Sequence, residues 1–160
     1  MIRRLLPSLL VVMLVILILC VAGCGMFGGG PKPVKPAWKT LALVAAPDAN
    51  GNSALAVDVV LVRDSKLLDT LLVLPAAKYF AATASLQRSY PDQMSVLPFE
   101  ITPGQKIDVE RTRFKDGKVW AVLAFANYAT PGEHRARLAL DQDHLVIDLA
   151  TDDFAAPPAK

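Results

Sequence analysis

The chain has 160 residues, of which 53% are hydrophobic, 20% charged and 7% aromatic, with 12 prolines, 9 glycines and 2 cysteines. That length holds one ordinary domain, and two cysteines exclude a disulfide-stapled mini-domain. Basic and acidic residues number 17 and 15, and Arg3 and Arg4 supply the whole excess, so the neutral body argues against a nucleic-acid partner, whose phosphates require a basic surface.

Nineteen of the first 24 residues are apolar. The remainder has an ordinary globular composition, which excludes a multi-pass membrane protein and a disordered chain. Arg3 and Arg4 form a positive start, and the 13 residues Leu9–Val21 are all apolar. Small residues then precede Cys24. These are the three parts of a secretory signal, and the run is shorter than the ~20 residues a spanning helix needs. Residues 1–23 therefore read as a signal peptide. The alternative is an uncleaved, tilted helix over Leu5–Val21. Val21-Ala22-Gly23-Cys24 resembles the lipobox of bacterial lipoproteins. By that resemblance the Cys24 thiol receives a diacylglyceryl group, and the amine freed by cleavage receives a further acyl chain. Cys20 follows the bulky Ile18 and Leu19 and reads as a hydrophobe of the leader. One acyl chain binds a bilayer reversibly, whereas several hold it stably. Gly25 stands where lipoproteins retained in the inner membrane often carry Asp, so the same resemblance implies the periplasmic face of the outer membrane.

Residues 24–37 alternate glycines with spaced prolines and read as a flexible, then extended, tether. The domain follows over 38–154, mostly as strands. Trp38–Ala46 is the first apolar run, closed by turn chemistry over Pro47–Asn52. Ala54–Arg63 is the second. Within Asp64–Ala84, Ser65 is expected to cap a helix carrying Leu67, Leu68, Leu71 and Leu72, and Pro75 breaks it before a second short turn or helix. This makes a helical insertion over 65–84. Strands follow at Met94–Ile101 and through Ile107 and Val109, with a bulge expected near Arg111 where the apolar parity shifts. Asp116-Gly117 signals a hairpin. Val119–Ala126 is apolar on both parities, as a strand buried on both faces would be. His134–Leu140 and the alternating Leu145, Ile147 and Leu149 complete about seven strands. The fold class expected is an antiparallel β-sandwich, with residues 155–160 as a disordered tail.

Catalytic constellations are thin. Ser65, Ser85, Ser89 and Ser95 occupy no nucleophile elbow. His134 and His144 fall in turns and read as solvated. Asp141 and Asp143 start like a calcium loop, but Leu145 and Val146 stand where an oxygen ligand and a glycine are required. Arg111, Arg113, Lys115 and Lys118 interleave with Asp108, Glu110 and Asp116, as on a charge-paired exposed strand; the alternative is a surface for an anionic partner. Asp58 interrupts an apolar strand and reads either as solvent-facing or as a partnered buried acid. No catalytic residue, metal site, small-molecule substrate or cofactor is expected beyond the covalent lipid on Cys24.

The lipobox cysteine, the Gly/Pro tether and a first strand ending in Asp48-Ala49-Asn50-Gly51 resemble the outer-membrane lipoprotein of type VI secretion systems, the TssJ family. The second strand Ala54–Arg63, the helical excursion, Phe99–Gln105 and Trp120–Tyr128 extend the resemblance over most of residues 20–150. It implies a scaffold rather than an enzyme: a sandwich with helical additions that holds the periplasmic domain of a large inner-membrane subunit. It also implies that the loop between the first two strands takes part, here Asp48, Ala49, Asn50, Gly51 and Asn52 within Pro47–Ser53. The competing reading is a periplasmic ligand-binding or envelope-assembly lipoprotein unrelated to secretion.

Overall fold

The computed structural model describes residues 32–114 and 117–157. The signal segment, with Val21, Ala22, Gly23 and Cys24, lies outside the described residues, as do Lys115, Asp116 and the last three residues.

Among the described residues, eight strands form two four-stranded sheets. In the first sheet the order is β4 (Lys106–Glu110), β1 (Thr40–Ala45), β7 (His144–Leu149) and β8 (Phe154–Ala155). In the second it is β3 (Met94–Ile101), β2 (Leu55–Val62), β5 (Ala121–Ala126) and β6 (Arg135–Arg137). The sandwich is antiparallel except at one pair: β1 and β7 run parallel, with Leu41 opposite Leu145 and Leu43 opposite Ile147. Antiparallel strands can be joined by tight turns, whereas a parallel pair requires a long crossover. Here the entire second sheet separates β1 from β7 in the chain.

Burial explains the two kinds of strand. β7 alternates exposed and buried residues along its length, because one face of its sheet meets solvent. β5 is buried at every position, because helices cover the outer face of its sheet. The inter-sheet core contains Trp38, Leu41, Leu43, Val57, Val59, Ile101 and Ile147. A second core lies under the helices, with Val60, Val62, Leu67, Leu71, Tyr79 and Phe125. Tyr79 stacks on Phe125 at 3.9 Å between ring centroids, 8° from parallel.

The helices α1 (Ser65–Leu71) and α2 (Ala76–Ser89) occupy the expected insertion, but α2 continues past Ala84 to Ser89. Its exposed side is Ala- and Ser-rich, so no apolar stripe marks its full length. Asp64, not Ser65, caps α1, accepting from the Leu67 N–H at 2.8 Å. Pro75 stands at the start of α2, where a missing N–H costs nothing. Three other expectations change. Residues 111–113 form a single 3-10 turn rather than a bulge. β6 is limited to Arg135–Arg137. Residues 155–157 of the expected tail enter the fold, since Ala155 pairs with Asp148 and the Ala139 N–H donates to Pro157 O at 3.1 Å.

Candidate interaction site

The strand directions give the domain two poles. Val34 bridges Val119 with reciprocal 2.9 Å bonds, so the chain enters beside the first residues of β1, β3, β5 and β7. At the opposite pole four loops meet: residues 46–54, 102–105, 127–134 and 150–153.

Polar groups cross-link these loops. Asn50, Gly51 and Asn52 have φ values of 49°, 58° and 62°, a left-handed turn that Asn and Gly tolerate better than other residues. That turn points Asn50 inward, leaving it 8% exposed. Its Nδ2 donates to Ala54 O at 3.0 Å, and its Oδ1 accepts from the Ala129 N–H at 2.8 Å. The Asp48 carboxylate accepts from the Thr151 hydroxyl at 2.6 Å, and Thr130 Oγ1 donates to Asp152 O at 3.1 Å. Tyr128 spans the third side, its hydroxyl shared between the carbonyls of Ala150 at 3.1 Å and Asp153 at 2.8 Å. Burial first, and then the Asp153 charge, raise the Tyr128 phenol well above its ordinary range. It therefore stays a donor. The Gly104 N–H docks the fourth loop on Ala46 O at 3.0 Å, in a turn where Gly104 has φ 76°.

His134 belongs to the same network, contrary to the solvated position expected. It is 7% exposed and has φ 40°. Nε2 donates to Thr130 O at 2.9 Å, Nδ1 lies 3.0 Å from Asp153 Oδ1, and the ring sits 4.8 Å from that of Tyr128. A Cβ on Gly132 would stand 2.5 Å from His134 Nε2, so the Pro131-Gly132 turn leaves room for the ring. Sequence offered one signal, a histidine directly after a Pro-Gly turn and a glutamate, and that pattern does not fix its direction.

The helices join this pole. The Ala76 N–H donates to Glu133 O at 2.9 Å, and Arg135 Nη1 donates to Leu74 O at 2.6 Å. These bonds set the α1–α2 turn beside the loops, with Val73 74% exposed. Of the five residues expected to face a partner, Asp48, Gly51 and Asn52 lie at the surface, whereas Ala49 and Asn50 are buried. Asn50 therefore supports the loop rather than projecting from it.

Asp58 resolves as the partnered buried acid. It is 6% exposed and accepts from the Tyr79 hydroxyl at 2.9 Å. Burial raises its carboxyl above the ordinary range, and the Tyr79 bond opposes that shift. His144 is at the surface, 2.8 Å from Thr40 Oγ1. Among the described residues no three His, Cys, Asp or Glu side chains converge as metal ligands, and no helix is long and apolar enough to cross a membrane. Cavities of about 320 and 250 Å³ open near the other pole, one beside Met94, Leu97 and Arg113 and one beside Tyr90 and Gln93.

The described residues thus form a two-sheet sandwich with a helical cover and with hydrogen-bonded loops at the pole opposite the Val34–Val119 bridge. No protein-family model matches the chain, and no curated protein matches it. Solved structures do. The type VI secretion lipoprotein TssJ1 from Pseudomonas aeruginosa superposes with a TM-score of 0.55 at 20% identity, covering 81% of this chain and 100% of that one. Serratia marcescens Lip, a membrane-bound component of the type VI secretion system, gives 0.51 at 14% identity, over 74% of this chain and 95% of that one. A chain of a type VI membrane complex gives 0.52 at 14% identity, covering 74% and 96% respectively. The chain thus has the TssJ-like fold.

Proposed function

We propose that this protein is a lipoprotein anchored through Cys24 to the periplasmic face of the outer membrane. There it acts as a structural tether of a type VI-like secretion complex, gripping the periplasmic domain of an inner-membrane subunit with its loop pole. The observation that carries this reading is the loop pole itself. Loops are ordinarily mobile, yet here Asn50, Tyr128, His134 and Asp153 bind them to one another. A preorganised surface loses less entropy on binding. Asp48, Gly51 and Asn52 offer polar contacts, and the exposed Val73 beside them offers an apolar one. The likeness in fold to type VI lipoproteins supports the same assignment.

The test is copurification from detergent-solubilised envelopes. The wild-type chain is expected to bring down a large inner-membrane secretion subunit. Ser53→Arg combined with Val73→Glu, both at exposed positions outside the left-handed turn, is expected to abolish recovery while leaving the melting temperature within a few degrees. Recovery of that subunit undiminished by the double variant, or recovery of no envelope protein by wild type under mild crosslinking, sinks the reading. Labelled palmitate incorporates into the wild-type chain and not into Cys24→Ser.

A further inference from the structure

The neutral body conceals a charge separation along the strand axis. Residues 32–39, 62–67, 88–94, 110–114, 117–121 and 141–144 make up the tether pole. Leaving Arg111 aside, they hold eight Lys and Arg against five Asp and Glu. The loop pole, residues 46–56, 72–78, 99–106, 126–135 and 148–155, holds three against six. Equal and opposite excesses in a chain of zero net body charge are a matter of placement, not composition.

From this polarity we infer that the tether pole seats on an anionic phospholipid surface, which turns the acidic loop pole away from the bilayer. The inference uses the lipid-anchor reading for its setting and rests on a separate observation. Lys32, Lys66, Arg88, Arg113 and Lys118 are exposed at this pole. Among the local acids, Asp64 caps α1, Asp143 takes Lys39 at 2.6 Å and Glu110 accepts from the Thr112 hydroxyl at 3.4 Å. The Arg113 guanidinium lies 5.2 Å from the Phe99 ring centroid, so this side chain reaches from the pole along β3. The Val34–Val119 bridge carries Lys32 to the same end as Lys118.

Distance makes the charge matter. Ten residues separate Cys24 from Val34, a reach of about 35 Å when extended. The screening length in physiological salt is about 8 Å. Anchoring at Cys24 alone would therefore set an upper limit of several screening lengths on the distance of the domain from the surface. Attraction of each Lys or Arg to an anionic leaflet acts only within that length, and the acidic pole is repelled. Polarity of this sense selects one orientation, with the loops facing the periplasm.

Trp38 and Trp120 both lie at the tether pole, which supplies an internal probe. The full-length lipoprotein is reconstituted into vesicles carrying a dansyl-headgroup lipid, in phosphatidylcholine alone or mixed with phosphatidylglycerol. Energy transfer from tryptophan is expected to rise about twofold on the anionic vesicles. The rise is lost in high salt and in Arg113→Glu/Lys118→Glu, whose circular dichroism and melting are checked against wild type. Lys66→Glu/Arg88→Glu serves as a second variant should the first unfold. Equal transfer on both lipids, or a rise that survives salt and both reversals, overturns the inference. Flotation on neutral vesicles in high salt reports the anchor alone. A chain that fails to float there, yet floats on anionic vesicles in a salt-sensitive manner, disproves the anchor and supports the seat.

Discussion

At the tether pole the domain is closed by apolar packing: Trp38 is 2% exposed, Val119 is fully buried, and Phe114 meets the Trp38 ring edge-on at 5.6 Å. At the loop pole the same job falls to side-chain and backbone polar groups, each with a named partner. The two solutions fail differently. Dispersion and burial are shared over many contacts, so an apolar cluster loses stability in proportion to what is removed. A hydrogen-bonded network loses specific pairs and leaves orphaned groups behind. A pole built in the second way holds one geometry or none, which suits a docking surface.

The largest effect should come from the apolar pole. Trp38→Ala removes a fully packed indole and the 2.6 Å bond from its Nε1 to Ala139 O, and is expected to cost about 3–5 kcal/mol. The measurement is the urea midpoint, which should fall while the loops stay native up to the transition. Next is Asn50→Ala. It orphans the Ala129 N–H and the Ala54 carbonyl, and places a Cβ residue without hydrogen-bonding reach at φ 49°. A cost of about 2–3 kcal/mol follows. Hydrogen exchange should quicken over residues 127–134 well before global unfolding. Exchange rising equally at both poles would break the contrast drawn between them.

Tyr128→Phe is the milder probe of the same network. It keeps the ring against His134 and removes only the hydroxyl shared by Ala150 and Asp153. About 1 kcal/mol is expected. Recovery of the inner-membrane subunit proposed above as partner should drop by more than that loss implies, because the 150–153 loop is freed from the 127–134 loop. A variant that melts lower yet binds as wild type would assign the network to folding alone.

How far the sequence anticipated these poles depends on the range of the interactions. Alternation made β2 and β7 legible, and the double parity of Val119–Ala126 marked the strand covered on both faces. Asp48–Asn52 was readable as a turn from its Asn and Gly residues. Its inward Asn50 was not, because the partner is the Ala129 N–H, 79 residues away. The parallel β1–β7 pair and the buried His134 escaped for the same reason: both are set by contacts between segments that no local pattern connects. The charge separation lay equally hidden, since a count along the chain gives zero until the strands are given directions.

The smallest expected effect lies between the poles, where α2 crosses from one to the other. Only its first turn is buried, through Ala76 and Tyr79, and the Tyr79–Asp58 bond pins that turn to β2. Burial lifts the Asp58 carboxyl above its unfolded value of 3.8. The folded state therefore holds this proton more tightly than the unfolded chain does. Over the interval between the two values unfolding releases a proton, so this group's contribution to stability falls as pH rises through the interval and is constant above it. Asp58→Asn removes that dependence while its Oδ1 still accepts from Tyr79. The wild-type minus variant difference in stability should thus become more favourable to wild type on acidification through that interval, with the change complete below pH 3.8. The comparison is made by urea titration of both proteins at each pH. An opposite slope would mean that the carboxylate is favoured by the fold, and that the loop-pole end of α2 is held by a charge rather than despite one.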